Sequence, residues 1–244
     1  MNRIAILRPG TSDPFPPVEA ALEEPNGLLA AGGDLSCERL LDAYRHGIFP
    51  WFGDGDPILW WSPDPRAVFA TGRLHRSASL RRFLKRCDWT IRADSAFAEV
   101  MRECAAPRAG QPGTWITPEM LVAYGELHER GHAHCVEVVD RTGRMVGGLY
   151  GVAVGRMFFA ESMFSAASNG SKVALAALCH TLSGWGFDLV DAQLSSSHLT
   201  SMGAFEMPRN DFVAHVARAC LLPFESGTWG ERWPTRLAVQ LAKS

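Results

Sequence analysis

Just past its midpoint the chain has three apolar runs of strand length, and this pattern constrains the fold more than any other. The runs are Cys135–Val139, Met145–Val154 and Met157–Met163. Arg141-Thr-Gly143 lies between the first two runs, and Gly155 lies between the second and the third. Because glycine and short polar residues favour tight turns, this segment is predicted to be an antiparallel meander.

Helical patterns precede and follow the meander. The predicted helices before it are Ser79–Arg86, Ser95–Ala105 and Thr117–Arg130, the last with Thr117 as its N-cap and Pro118 in its first turn. The predicted elements after it are a helix over Ser171–Trp185, a strand over Leu189–Leu194 and a helix over Asp211–Leu222. This order predicts an α+β domain with a mixed central sheet, the layout of the GNAT-type acyltransferase fold.

The first 62 residues lack long regular runs and are predicted to form a small domain of loops and short strands. Asp34 or Ser36 can cap one short helix, which Gly47 ends. Prolines and tryptophans then crowd the segment from Gly47 to Pro65, which favours loops and short extended pieces over helix. We therefore expect a boundary near Ser62, with residues 1–62 in the small domain and 63–244 in the GNAT-like domain.

Composition limits the possible partners. Hydrophobic residues make up 47% of the chain and charged residues 20%, with a formal net charge of -2, so a globular protein without an overall basic field is expected. Contact with nucleic acid must then depend on a local patch. No secretion signal or membrane helix is apparent and the six cysteines stand singly, which favours a cytoplasmic protein. The segment His132-Ala-His134-Cys135 lacks the paired spacing of zinc sites, so neither a metal nor another cofactor is expected.

A carboxylate and an amide alternate along the last predicted strand. Side chains alternate between the two faces of a strand, so Asp191, Gln193 and Ser195 are predicted to share one face. An acid beside an amide can hold an amine and accept its proton. A polar strand edge that faces solvent has the same pattern, and the sequence leaves both interpretations open.

One acidic residue interrupts the third strand of the meander. Glu161 lies in Phe158-Phe-Ala-Glu-Ser-Met-Phe164, where burial without a partner would be costly. Either a structural cation such as Lys172 neutralises it, or its carboxylate binds a cationic ligand such as an amine. The structural ion pair is the simpler interpretation.

Large aromatic residues are concentrated around the expected domain boundary and shortly before the third helix. They are Trp51, Trp60, Trp61 and Trp115. Their number exceeds what a small loop-rich region needs for packing, and a ligand pocket with aromatic walls is one explanation. For any single tryptophan, a place in the core beneath a proline-rich loop is the simpler interpretation.

The first helix after the boundary, with the residues just before it, carries a dense group of positive charges. The basic residues are Arg76, Arg81, Arg82, Lys85 and Arg86. Such a face is usually only solvated. In a slightly acidic protein it is also the natural place for contact with the phosphates of a nucleic acid.

Seven short segments, in order along most of the chain, resemble one enzyme family. They are Tyr44–Phe52, Pro57–Arg66, Gly113–Thr117, Gly131–His134, Val146–Gly151, Glu161–Ser165 and Asp191–Gln193. This ordered set resembles the leucyl/phenylalanyl-tRNA–protein transferases. Its most specific parts are Gly47-Ile-Phe-Pro-Trp-Phe52 and Trp60-Trp-Ser-Pro-Asp-Pro-Arg66.

The resemblance implies an aminoacyltransferase. The family moves leucine or phenylalanine, and less readily methionine, from aminoacyl-tRNA to proteins that begin with arginine or lysine. The transfer marks those proteins for degradation through the N-degron pathway. ATP is not needed, because the tRNA ester is already activated. The implied partners are aminoacyl-tRNA and an acceptor protein, without a membrane, and a monomer is expected.

The resemblance also implies roles for individual residues. Asp191 and Gln193 match the pair assigned to peptide-bond formation, with either Asp191 or the tRNA ribose relaying the proton. The residues that match the pocket for the amino acid and the terminal adenosine are Trp51, Trp115, Leu149, Phe158, Glu161 and Leu178. The family often has methionine in place of Leu149 and phenylalanine in place of Leu178, so a pocket of different shape is expected.

These assignments contain one geometric conflict. Phe158 and Glu161 have opposite parity along a strand, so a regular strand would point them to opposite faces. Both can face one pocket only if the strand is irregular. We therefore predict a bulge between Phe159 and Ser162.

Two other functions compete with this interpretation. One is an acetyl-CoA-dependent N-acetyltransferase on the same fold, although Ser165-Ala-Ala-Ser-Asn-Gly-Ser171 lacks the Arg/Gln-x-x-Gly-x-Gly/Ala loop that would hold a pyrophosphate. The other is a non-catalytic module that binds tRNA or a degron. Such a module would keep the basic helix and Glu161 but would gain nothing from Asp191 and Gln193.

Overall fold

The computed structural model describes residues 4–107 and 114–242. Two β-sheets follow one another along the sequence, and helices pack on both faces of the larger sheet. Gly113, the first residue of the Gly113–Thr117 motif, lies outside the described residues.

The first sheet is built from residues that precede Ser62. Its elements in chain order are β1 (Ala5–Leu7), β2 (Leu28–Gly32), helix α1 (Cys37–Arg45), β3 (Phe49–Pro50) and β4 (Leu59–Trp61). The strand order is β1-β2-β4-β3, with β1 parallel to β2 and the other neighbours antiparallel. The predicted short helix is confirmed, and Ser36 is its cap because the Ser36 side chain accepts from the Arg39 backbone N–H.

The second sheet has eight strands among the described residues. Its elements in chain order are β5 (Arg66–Ala70), α2 (Ala78–Leu84), β6 (Thr90–Ala93), α3 (Phe97–Ala105), α4 (Pro118–Glu129), β7 (Ala133–Val139), β8 (Met145–Val154), β9 (Met157–Ser165), α5 (Gly170–Gly184), β10 (Leu189–Asp191), α6 (Ser197–Ser201), β11 (Phe205–Met207), α7 (Arg209–Ala219) and β12 (Arg236–Leu237). The strand order is β11-β5-β10-β9-β8-β7-β6-β12. Strand β10 runs parallel to β9 and the other neighbours are antiparallel, so the sheet is mixed, as predicted.

The sequence predicts the longer helices, including α2 and α7, and the central strands of this domain well, but it misses the short outer strands. The meander β7–β8–β9 is confirmed, as are helices α3, α4 and α5, and Thr117 caps α4 with Pro118 in its first turn. The predicted strand over Leu189–Leu194 is wrong at its end, because β10 stops at Asp191. Strands β5, β6, β11 and β12 have no counterpart among the predicted elements. They are short, with two to five residues each, and give little periodic signal.

Two apolar cores lie on opposite faces of the second sheet. Residues of α1, α3, α4 and α7 belong to one core, which also includes Trp60 and other residues of the first sheet. Residues of α2, of α5 and of the C-terminal segment, the part of the chain that follows α7, belong to the other core. That segment contributes Trp229 and Trp233, which are 0% and 3% exposed and stack with ring centroids 6.1 Å apart. The first sheet therefore shares its core with the second rather than packing alone.

Candidate functional site

A cavity of about 250 Å³ opens where β9 and β10 separate. The parallel pairing of these strands ends at Phe159 and Asp191, after which β9 continues beside β8. Apolar walls come from Phe69, Leu149, Ala160, Met163, Leu175, Ala192 and Leu199. Polar groups come from Glu161, Ser162, Gln193, Ser196 and His198. A mostly apolar pocket with a few polar groups is the usual form of a small-ligand site.

The predicted bulge in β9 is confirmed, and it lies at Glu161, which lines this cavity. Tyr150 of β8 pairs with Ser162, whereas the next residue, Gly151, pairs with Ala160. Glu161 is therefore the extra residue, inside the predicted interval. The bulge does not bring Phe158 to the cavity. The Phe158 ring is fully buried and packs against Trp229 with centroids 5.5 Å apart.

Two buried tyrosines hold the Glu161 carboxylate. Tyr44 Oη donates to Oε1 at 2.7 Å, and Tyr124 Oη donates to Oε2 at 3.1 Å. The partners of the Glu161 carboxylate are thus two hydroxyls and not Lys172, the structural cation considered from the sequence. Lys172 instead lines an adjoining cavity of about 540 Å³. Burial raises the pKa of the Glu161 carboxyl to about 7, against the opposing effect of the two hydroxyls and with a further rise from the negative charge of Asp191. Near neutral pH, this carboxyl is therefore poised to gain or lose a proton.

The raised pKa predicts a pH-dependent stability difference between the protein and a Glu161→Gln variant. The folded state keeps the Glu161 proton up to about pH 7, whereas the unfolded chain releases it near pH 4.5. The stability that this residue contributes is full below about pH 4.5 and is lost as the pH rises through about 7. Glutamine does not titrate, so the variant should gain free energy of unfolding relative to the native protein across this window, as measured by urea denaturation. A difference that is constant with pH would contradict the assignment.

Asp191 is fully buried in a two-point ion pair with Arg66. Arg66 Nε donates to Oδ1 at 2.8 Å and Nη2 donates to Oδ2 at 2.7 Å, and both side chains are 0% exposed. The Phe49 and Phe212 ring centroids lie 4.7 Å and 4.6 Å from the guanidinium carbon. Both oxygens of the Asp191 carboxylate are thus occupied by the arginine. The expectation that this carboxylate faces the ligand pocket beside Gln193 is wrong in geometry, because Asp191 does not line the cavity.

Gln193 does line the cavity, and its backbone is fixed from two sides. Its φ is +55°, an uncommon conformation for a residue with a side chain, so the strand alternation that predicted a shared face does not apply. The Gln193 N–H donates to Asp191 Oδ1 at 3.0 Å, and the Gln193 carbonyl accepts from the Ala67 N–H at 3.1 Å. Gln193 Nε2 is buried and has no hydrogen-bond partner among the described residues. A buried donor without a partner is costly, so this amide is a natural contact for a ligand.

The apolar positions implied by the family resemblance divide between the wall and the layer behind it. Leu149 lines the cavity. Leu178 is fully buried in the same core but does not reach the cavity wall, and Leu175, one helical turn earlier on α5, lies there instead. Met163 is a wall residue that the sequence analysis did not single out.

The tryptophans fall into a buried and a more open group. Trp60 is fully buried and its indole N–H donates to the Gly32 carbonyl at 2.8 Å, as expected of a core residue. Trp51 is 41% exposed and lies beside Trp61, with ring centroids 5.5 Å apart. Trp115 is half-buried just before α4. No tryptophan is among the described residues that line the 250 Å³ cavity, so a nucleoside contact for Trp51 and Trp115 stays a prediction.

The comparison with known proteins is decisive about the family. The model of the family described as leucyl/phenylalanyl-tRNA protein transferase matches residues 68–217, and the model of that family's N-terminal domain matches residues 33–64. The chain belongs to this family. A leucyl/phenylalanyl-tRNA–protein transferase of Xanthomonas campestris pv. campestris (strain B100) is 57% identical over 238 residues, covering 97% of this chain and 95% of its own. One of Thiobacillus denitrificans is 57% identical over 215 residues, covering 88% and 94%. The chain is thus an enzyme, an aminoacyltransferase.

Similarity to solved structures is much weaker than similarity in sequence. The structure of L-PGS from Bacillus licheniformis aligns with a TM-score of 0.38 and 11% identity, covering 69% of this chain and 54% of that one. A score of that size does not establish a shared fold.

Several residues of this transferase that hold the site together were not recognised as functional from sequence. Arg66, Tyr44 and Tyr124 contact Asp191 or Glu161 directly. Arg66 ends one of the two most specific motifs, and Tyr44 begins the Tyr44–Phe52 segment that contains the other, which was the signal available in the sequence. Tyr124 lies on α4 with no distinguishing pattern around it.

The remaining candidates of the transferase lie away from the cavity. Arg81, Arg82, Lys85 and Arg86 are exposed on or just after α2, and Arg76 is half-buried with its guanidinium bonded to the Leu241 carbonyl. His134 pairs with Asp94 at 2.8 Å and stacks on Trp229, which gives it a structural role. Within residues 4–107 and 114–242, no cluster of three potential metal ligands occurs, and no helix is both long and apolar enough to cross a bilayer.

Proposed function

We propose that the chain transfers leucine, phenylalanine and, less readily, methionine from aminoacyl-tRNA to the N-terminal arginine or lysine of acceptor proteins, which marks them for N-degron-dependent degradation. The observation that carries this proposal is the 250 Å³ cavity, because an apolar wall there meets a buried amide nitrogen that has no partner among the residues the structure describes. The cavity is smaller than the roughly 300–1,000 Å³ pockets that hold drug-sized ligands. Its size suits one amino-acid side chain.

Selection among amino acids follows from burial against this wall. Leu149, Met163 and Leu175 offer apolar and partly flexible surface. Each buried methylene group contributes about 0.8 kcal/mol, so leucine, phenylalanine and methionine bind better than alanine or serine. The methionine and the two leucines at these positions can adjust to both a branched and a flat ligand.

The chemistry is attack of an amine on an ester. The nitrogen of the acceptor α-amine forms a bond to the ester carbonyl carbon, the bond from that carbon to the ribose oxygen breaks, and the amine proton ends on the ribose oxygen. An unperturbed α-amine has a pKa of roughly 7.7–8.0, so a useful fraction is neutral at cellular pH. The enzyme therefore needs mainly to orient the two groups and to stabilise the charge that develops on the carbonyl oxygen.

Gln193 is the residue assigned to that stabilisation. Its Nε2 can donate to the carbonyl oxygen while its Oε1 accepts from the attacking amine. The Asp191 carboxylate is occupied by Arg66, so Asp191 acts in the catalytic pair through Gln193. It accepts a hydrogen bond from the Gln193 backbone N–H. A proton relay through the tRNA ribose is then favoured over direct proton removal by Asp191. Glu161, with its pKa near 7, attracts the cationic acceptor terminus to the same cavity.

A transfer assay tests the proposal directly. The protein is incubated with Phe-tRNA and a peptide that begins with arginine, and the peptide mass is measured. Gain of one phenylalanine, with none on a matched peptide that begins with alanine, is the expected result. An unchanged peptide would contradict the proposal and leave a binding module. A thermal shift with coenzyme A and acetylation of the peptide would favour the acetyltransferase instead.

The basic residues of α2 are proposed to bind phosphates of the tRNA. Replacement by glutamine is expected to raise KM for charged tRNA and to lower the salt dependence of binding by roughly 0.7–0.9 in log–log slope per lost phosphate contact. The four exposed positions to replace are Arg81, Arg82, Lys85 and Arg86. Arg45→Gln with Arg218→Gln, on helices of the opposite face, is the control and should leave both values unchanged. An unaltered salt slope in the α2 variant would mean that this face is only solvated.

Three finer features belong to the same proposal. The second sheet, in which two parallel strands separate over the cavity, supports a GNAT-like architecture for residues 63–244. The end of β4 at Trp61 supports a domain boundary near Ser62. We propose that the enzyme acts as a monomer in the cytoplasm, where charged tRNA is available.

A further inference from the structure

Arg66 lies at a junction of three parts of the molecule. It is the first residue of β5, its guanidinium is sandwiched by Phe49 of β3 and Phe212 of α7, and its Nη1 donates to the Gly47 carbonyl at 3.1 Å. Its remaining donors form the fork on Asp191. Four independent contacts thus fix one side chain that no solvent reaches.

The same contacts continue toward the cavity. Asp191 Oδ1 accepts from both Arg66 Nε at 2.8 Å and the Gln193 N–H at 3.0 Å. Gln193 has a positive φ, which is unfavourable for a residue with a side chain. Hydrogen bonds from its surroundings are therefore needed to hold this backbone conformation. The Ala67 N–H, directly after Arg66 in β5, donates to the Gln193 carbonyl at 3.1 Å. Arg66 therefore supports Gln193 both through Asp191 and through its own strand.

We propose that Arg66 is a positioning residue for aminoacyl transfer, which aims the Gln193 amide into the cavity by fixing the Asp191 carboxylate. The inference rests on the proposed role of Gln193 in that reaction. A bidentate guanidinium fixes the direction of a carboxylate, whereas a lysine ammonium supplies charge at a single point. Charge at position 66 is then insufficient, and the planar fork is required.

The Arg66→Lys variant separates orientation from charge. We expect kcat for transfer of phenylalanine to an arginine-initiated peptide to fall roughly 10- to 100-fold, the scale of a small misplacement in an active site, while KM for Phe-tRNA changes less than about threefold. Arg209→Lys is the matched control, because Arg209 donates to the Ser62 carbonyl at 2.8 Å at the same junction without touching Asp191. The control should keep kcat within about twofold, and thermal unfolding monitors the stability of both variants.

A double-mutant cycle with Asp191→Asn identifies the route of the effect. If Arg66 acts through Asp191, Arg66→Lys should lower kcat much less in the Asp191→Asn background than in the native protein. Equal fold-losses in both backgrounds, or a native kcat in Arg66→Lys, would overturn the proposal. Absence of transfer by the native protein would instead refute the proposed function.

A spectroscopic arm needs no activity. The side-chain amide signals of Gln193, assigned by their disappearance in Gln193→Glu, are recorded in ¹⁵N–¹H spectra of the folded full chain. Arg66→Lys should shift or split these signals and Arg209→Lys should leave them in place. Unshifted Gln193 signals in Arg66→Lys would overturn the positioning role even if kcat falls.

Discussion

Gln193→Ala is expected to lower kcat for aminoacyl transfer by about 10²–10³-fold, the usual cost of removing one donor to a developing oxyanion. The reason is that Gln193 lines the cavity and its buried Nε2 has no hydrogen-bond partner among the described residues, so this nitrogen is free to donate to a ligand. KM for the charged tRNA should change much less, because the apolar wall and the basic face of α2 are intact. Single-turnover transfer of phenylalanine to an arginine-initiated peptide measures the effect.

The control for this prediction removes the side-chain amide of a different glutamine, one that does not line the cavity. Gln240→Ala changes an exposed glutamine whose Oε1 accepts from the Leu237 N–H in the C-terminal segment. It should leave kcat unchanged within about twofold. Retention of more than a tenth of the native kcat by Gln193→Ala would remove Gln193 from the chemistry and leave its role to binding.

Glu161 illustrates what the sequence can predict at this site. Phe158 and Glu161 have opposite parity along a strand, so the requirement that both face one pocket implies an irregular strand, and the bulge occurs in the predicted interval. This inference needed only the period of two and a reason for both side chains to face one way. The bulge was correctly located although one of its premises failed, since Phe158 packs against Trp229 rather than lining the cavity.

Asp191 and Gln193 illustrate where that reasoning ends. Alternation assumes an unbroken strand, but β10 ends at Asp191 and Gln193 adopts a positive φ. The partner that decides the orientation of Asp191 is Arg66, which lies 125 residues earlier in the chain. A local pattern contains no information about a pairing between strands so far apart. The meander, by contrast, is formed by consecutive strands and short turns, so its signal is local and its prediction is correct.

Asp191→Ala is expected to lower the free energy of unfolding by about 3–5 kcal/mol, because the variant leaves the Arg66 guanidinium buried and unpaired. That is a large part of the roughly 5–15 kcal/mol that stabilises a typical domain. Urea denaturation of the full chain measures it. An activity loss in this variant therefore cannot be assigned to lost proton transfer unless the folded fraction is measured in the same buffer.

Two comparisons make this stability prediction specific to burial. Glu38→Ala removes the partner of Arg130 in a pair of the same 2.7 Å length, but its two side chains are 75% and 54% exposed, so solvent screens the pair and the loss of stability should be far smaller than in Asp191→Ala. Replacing both members of the buried pair, Arg66→Met with Asp191→Leu, should restore most of the stability lost in Asp191→Ala, because no uncompensated charge remains. The double variant should still transfer amino acids poorly, since the anchor of the Gln193 N–H is gone. A stable double variant with native kcat would show that the ion pair serves folding alone.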